Sequence, residues 1–182
     1  NEVEFTITPQ DESTGWKTYH QKNYGFSLQL PPGWVFGAIT HGDKGGAGLF
    51  ENIPSKWTVE PAPTLEARPQ DLPVLEWIFK DDRGVPVMTF NLVSKNKWRA
   101  ASLEQFASEY PTPKDKITNI QSEKLKWNDV FGIKQTHSIS DPDLQSGPWY
   151  YFASKTDFFV FIVKQGVDLT TIEQIFSTLN IE

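Results

Sequence analysis

Six consecutive apolar residues, Phe158-Phe159-Val160-Phe161-Ile162-Val163, constrain this chain more than any other segment. The run is too short for a buried helix and is built from aromatic and β-branched residues, so it reads as a strand. In a strand, Phe158, Val160 and Ile162 point one way while Phe159, Phe161 and Val163 point the other. Both faces are apolar, so both need cover, and the strand belongs in the middle of a sheet with a layer on each side.

The rest of the sequence supplies that sheet from hairpins. Trp16–Tyr19 and Phe26–Leu30 alternate around the turn-rich Gln21–Gly25, and Pro31-Pro32-Gly33 ends the second strand. Val74–Lys80 and Val85–Val93 flank Asp81-Asp82-Arg83-Gly84, whose residues tolerate tight turns. Ile117–Trp127 pairs with Phe131–Ile139 around Asn128-Asp129, and Trp149–Ala153 pairs with the Phe158 strand around Ser154–Asp157. Short strands are also expected at Leu49-Phe50 and Trp57-Thr58-Val59.

Two helices provide cover. Ser102 and Gln105 form a capping box ahead of an apolar stripe of Leu103, Phe106, Ala107 and Tyr110, stopped by Pro111 and Pro113. A second capping box is expected at Thr170 and Glu173, leading a stripe of Ile172, Ile175, Phe176 and Leu179. Hairpins with few helices make the class α+β around a mainly antiparallel sheet. Residues 1–15 carry four acids and no base and read as a linker or arm, leaving 16–182 as one domain.

Composition narrows the function classes. At 182 residues, with 13 Phe, 7 Trp and 5 Tyr, the chain has ample core material without metals or disulfides. The formal charge of −6, with no basic cluster, argues against nucleic acid or an anionic membrane surface as partner. Cysteine is absent, which removes thiol catalysis and Cys-ligated metals and suits an exported protein. No apolar stretch is long enough to span a bilayer. The start at Asn1, without Met or a signal-like segment, looks like a trimmed form of something longer.

Searches for chemistry return ordinary structure. No serine sits in G-x-S-x-G. The run Gly42-Asp43-Lys44-Gly45-Gly46-Ala47-Gly48 lacks the spacing of a phosphate loop and reads as a surface loop. His20, His41 and His137 are not paired at metal-ligand spacing, and His41 with Asp43 makes two ligands, not a site. His137 alternates with Ile133, Gln135 and Ile139, as a hydrogen-bonded structural histidine would. Asp141–Gly147 begins like a calcium loop, but its glycine comes one position late and no bidentate Glu follows. No cofactor or metal is expected.

Aromatic residues are the remaining binding candidates. Trp16, Trp34, Trp77, Trp127 and Trp149 lie in or beside strands, as core residues do. Trp57, within the Gly- and Pro-rich insert from Thr40 to Pro73, and Trp98, between Lys97 and Arg99, are the two tryptophans proposed for exposure and binding, with packing against the sheet as the plainer account.

One family matches this pattern. Tyr19, Asn23-Tyr24-Gly25-Phe26-Ser27 and Pro31-Pro32-Gly33-Trp34 resemble the opening hairpin of the PsbP-like superfamily, Y-x-N-x-x-Y-G-F-S-x-x-x-P-x-G-W. The hairpin Trp149–Val163 and the segment Thr170–Leu179 are similar to its closing strand pair and terminal helix. The resemblance spans Trp16 to Ile181, with the opening motif its distinctive part. It implies an α/β/α sandwich around a central antiparallel sheet, and a mostly non-enzymatic role. Plant and cyanobacterial members are lumenal subunits assisting photosystem II, a nuclear relative binds the Ran GTPase, and many bacterial members are exported proteins or lipoproteins.

This chain is most similar to that bacterial group, although extra length between Trp34 and Val74 prevents any site from being carried over. The expectation is a non-enzymatic, extracytoplasmic binding or assembly module meeting a protein or cell-envelope component, with a lipid anchor on its untrimmed precursor. A hydrolase or metal-dependent enzyme assembled only in the fold, and a purely structural domain of a surface assembly, are the alternatives.

Overall fold

In the structure, a computed structural model, residues 8–9, 15–21, 25–38, 74–96, 98–110, 117–139 and 146–182 are described. Seven strands form one antiparallel sheet in the order β4-β5-β6-β10-β9-β8-β7. Its members are β4 (Val35–Ala38), β5 (Val74–Lys80), β6 (Pro86–Ser94), β7 (Ile117–Trp127), β8 (Val130–Ile139), β9 (Ser146–Ala153) and β10 (Asp157–Lys164). The doubly apolar segment is β10, fourth of the seven, between β6 and β9.

Each face of β10 is buried in its own core. Phe159, Phe161 and Val163 join Phe90, Leu92, Phe152 and Tyr150 beneath α2 (Leu169–Ser177), which contributes Ile172, Ile175 and Phe176. The opposite face sends Phe158, Val160 and Ile162 toward α1 (Leu103–Glu109), where Phe106 stacks on Phe158 at 4.0 Å between ring centroids. Fully burying an aromatic or branched side chain stabilises by roughly 1.5–3 kcal/mol, so a strand that buries six of them anchors both layers.

A second, four-stranded sheet shares the α2 side, in the order β1-β2-β3-β11. It comprises β1 (Thr8–Pro9), β2 (Lys17–Gln21), β3 (Phe26–Leu30) and β11 (Asn180–Ile181). The opening hairpin is therefore a layer of its own, not an extension of the main sheet. Phe26, Leu28 and Leu30 alternate into the core, and Phe26 meets Phe90 edge-on at 5.2 Å. The distinctive opening motif acquires a structural reason here. Gly25 has φ 62 and its carbonyl accepts the Glu182 N–H at 2.8 Å, tying the hairpin to the end of the chain.

Two expectations are corrected in detail. The second helix is capped by Asp168, whose carboxylate accepts the Thr170 and Thr171 N–H groups, so Thr170 lies inside the helix and is not its cap. Glu173 is released from any capping role and instead takes Lys134 Nζ at 2.6 Å and the Tyr150 hydroxyl at 3.1 Å. The Ser102 cap does form, with the Gln105 N–H donating to Ser102 Oγ at 3.1 Å, while the Gln105 side chain accepts from Ala101. Strand β4 had no signal in the sequence beyond the turn that precedes it. Among the described residues no helix is long and apolar enough to cross a membrane.

Candidate functional site

Three tight turns from distant parts of the chain converge beside the start of α2. In the first, the Trp34 N–H donates to the Pro31 carbonyl at 3.1 Å and Gly33 takes φ 80. Pro32 pre-sets the first central position and Gly33 supplies the left-handed second one, which is the chemistry of a type II turn. A Cβ on Gly33 would stand 2.7 Å from the Cβ of Asp82, so this turn is pressed against the next.

The second turn joins β5 to β6 and is locked by Asp81. Its carboxylate accepts the backbone N–H groups of Arg83 and Val85 at 3.0 and 2.9 Å on one oxygen. The other oxygen takes Arg83 Nε at 3.0 Å and Nη2 at 2.6 Å. Burial alone would raise the Asp81 pKa, but the Arg83 guanidinium and the two N–H groups outweigh it and hold the carboxyl below the usual range. The third turn runs from Lys164 to Asp168, with Gly166 at φ 81 and the Val167 N–H reaching the Lys164 carbonyl at 3.4 Å. Asp168 then caps the helix.

Between these turns lies an open-sided cleft of about 430 Å³. Trp34, Val85, Pro86, Val87 and Val167 give it apolar walls. Arg83, Lys164, Gln165 and Thr171 place polar groups around them. A mainly apolar concavity carrying a few fixed polar groups is the usual form of a ligand or side-chain site.

Of the residues singled out by sequence, those that the structure describes stand elsewhere. Trp98 is half-buried in the α1 layer, 5.7 Å edge-on from Phe106 and 5.8 Å from Tyr110, on the opposite side of the sheet from α2. Trp57, His41, Asp43, the glycine run, the rest of the Thr40–Pro73 insert, the proposed strands within it and Asp141–Gln145 lie outside the described residues. His137 is half-buried with Trp149 edge-on at 5.7 Å, and burial lowers its pKa. His20 Nε2 is 3.3 Å from Glu182 Oε1.

Other buried polar groups serve packing. Gln135 donates to the Ala107 carbonyl at 3.1 Å and accepts from the Tyr151 hydroxyl at 2.9 Å, joining α1 to the sheet. Asn91 reaches the Tyr110 hydroxyl at 3.0 Å on the same face. Among the described residues, no three of His, Asp and Glu are grouped as metal ligands. The cleft itself escaped the sequence reading: Pro31-Pro32-Gly33 and Asp81–Gly84 were read as separate turns, Gln165-Gly166 was not singled out, and their meeting depends on tertiary structure.

No protein-family model matches the chain, and no curated protein matches it. Among solved structures it is similar to cyanobacterial PsbP (CyanoP) from Synechocystis sp. PCC 6803, at 7% identity and a TM-score of 0.48, covering 96% of this chain and 98% of that one. A crystal structure from Bacteroides thetaiotaomicron VPI-5482 is similar at 12% identity and a TM-score of 0.32, over 86% of this chain. The chain spans 45% of that second protein's length.

Proposed function

We propose that this chain is a non-enzymatic binding or assembly module of the PsbP-like kind, displayed outside the cytoplasm, and that it meets its partner at the cleft between the three turns. The observation carrying this reading is the convergence of separately locked turns on one open concavity. Asp81 and Asp168 hold their turns through side-chain hydrogen bonds, and Gly33 and Gly166 take the left-handed φ that those turns need, so the fold shapes the surface before any partner arrives. Preorganised surfaces bind with less ordering cost. The opening motif that carries the family resemblance supplies one wall through Trp34.

The partner is a protein or another cell-envelope component, and the precursor carries an export signal or lipid anchor. Absence of cysteine and the resemblance to exported bacterial members support this placement. The insert from Thr40 to Pro73 adds a second contact surface. Affinity capture from envelope extracts tests the proposal: wild-type protein retains a discrete partner, Val85→Arg loses it, and shortening the insert weakens it. Equal capture by wild type and Val85→Arg would remove the cleft from the account.

A further inference from the structure

We infer that the cleft takes an acidic peptide segment bearing a bulky apolar residue beside its carboxylate, an inference that rests on the cleft being the binding site. Two carboxylates and two cations line the cleft, and their hydrogen-bonding capacities differ. Asp81 is nearly buried and its oxygens accept four hydrogen bonds from the protein. Asp168 accepts the Thr170 and Thr171 N–H groups and the Thr171 hydroxyl, and its charge faces the positive end of α2. Both carboxylates are thus committed to protein donors.

The cations keep unused N–H groups, although Arg83 is already paired with Asp81. Arg83 is 77% exposed, and although Nε and Nη2 bind Asp81, its Nη1 donates to nothing among the described residues. Lys164 forms no ion pair among the described residues. Asp82, exposed at the turn tip, lies outside the cleft lining but close enough for its charge to act on Arg83, leaving Nη1 as the free donor. The unused groups are therefore N–H donors, which select an acceptor, and Asp81 holds the planar guanidinium in a fixed orientation for a carboxylate. Beside them Trp34, Val85 and Val167 offer an apolar surface, with Val85 39% exposed. The open side fits an extended segment lying across the cleft, since small-molecule sites usually enclose most of their ligand.

Backbone and indole N–H shifts, followed by NMR during titration, test this with three probes. These are acetyl-Glu-Phe-Glu-amide, acetyl-Gln-Phe-Gln-amide and phenylacetate. The acidic peptide is expected to shift the Trp34 indole and the Val85 and Thr171 amides saturably, with the neutral peptide about tenfold weaker. Arg83→Gln and, separately, Lys164→Gln are expected to narrow that difference. Equal affinity for both peptides overturns the carboxylate inference and leaves the cleft as a binding site. Phenylacetate binding as tightly as the acidic peptide overturns the peptide class. No shift at the cleft with any probe overturns both the inference and the reading it rests on.

Discussion

Gly33 leaves no room for a side chain beside Asp82: a Cβ added to Gly33 would stand 2.7 Å from the Asp82 Cβ and 3.3 Å from its Cα. This contact joins the turn before β4 to the turn between β5 and β6, and so fixes one wall of the cleft against another. Gly33→Ala meets both a clash with backbone-anchored atoms and a left-handed φ of 80. It is expected to lower stability by about 2–3 kcal/mol in urea unfolding, whereas Gly84→Ala, at φ 75 with open space around it, costs about 1 kcal/mol.

Acid sensitivity follows from Asp81. Its folded pKa lies below the unfolded value, so its contribution to stability is complete above about pH 4 and is lost as pH falls through the folded pKa. Asp81→Asn is expected to be less stable than wild type at pH 7 and to converge with it in strong acid. Unfolding midpoints measured across pH 2–7 check this; parallel curves would show that the Asp81 charge contributes nothing.

The helix cap separates two positions that sequence alone confused. Asp168→Ala removes the acceptor for the Thr170 and Thr171 N–H groups and is expected to lower Tm. Thr170→Ala leaves that cap in place and is expected to be nearly silent. A reversed order in thermal scans would restore Thr170 as the cap.

Gly132 is required by packing. A Cβ there would lie 2.5 Å from Phe152 Cε1 and 3.0 Å from the Tyr151 carbonyl oxygen. Gly132→Ala is expected to destabilise by about 1–3 kcal/mol, and Phe152→Leu in the same chain to recover part of the loss. Additive losses in the double variant, read by denaturant unfolding, would show that the two sites do not share this contact.

Much of the fold was legible because its signals are local. The alternation of Phe158–Val163 dictated cover on both faces, and the structure divides those six residues between two cores as the alternation requires. The hairpin turns and the Ser102 cap were likewise written in short stretches. What was not legible depends on distant segments. The opening hairpin separates into its own sheet because β11, at the far end of the chain, pairs with Phe26 and Ser27. Asp168 outcompetes Thr170 for the cap, since Gly166 and Val167 turn the chain before the periodic stripe begins. Trp34 carried a core expectation, yet its side chain is half-buried and also lines the cleft.

Partners docked in the three-turn cleft can be captured in place by site-specific photo-crosslinking in cells. A benzophenone side chain replacing Val85, at the cleft, is compared with one replacing Ile120, exposed on the outer strand β7. Val85 is expected to give a discrete adduct and Ile120 none. An adduct from Ile120 with none from Val85 would contradict docking in the cleft.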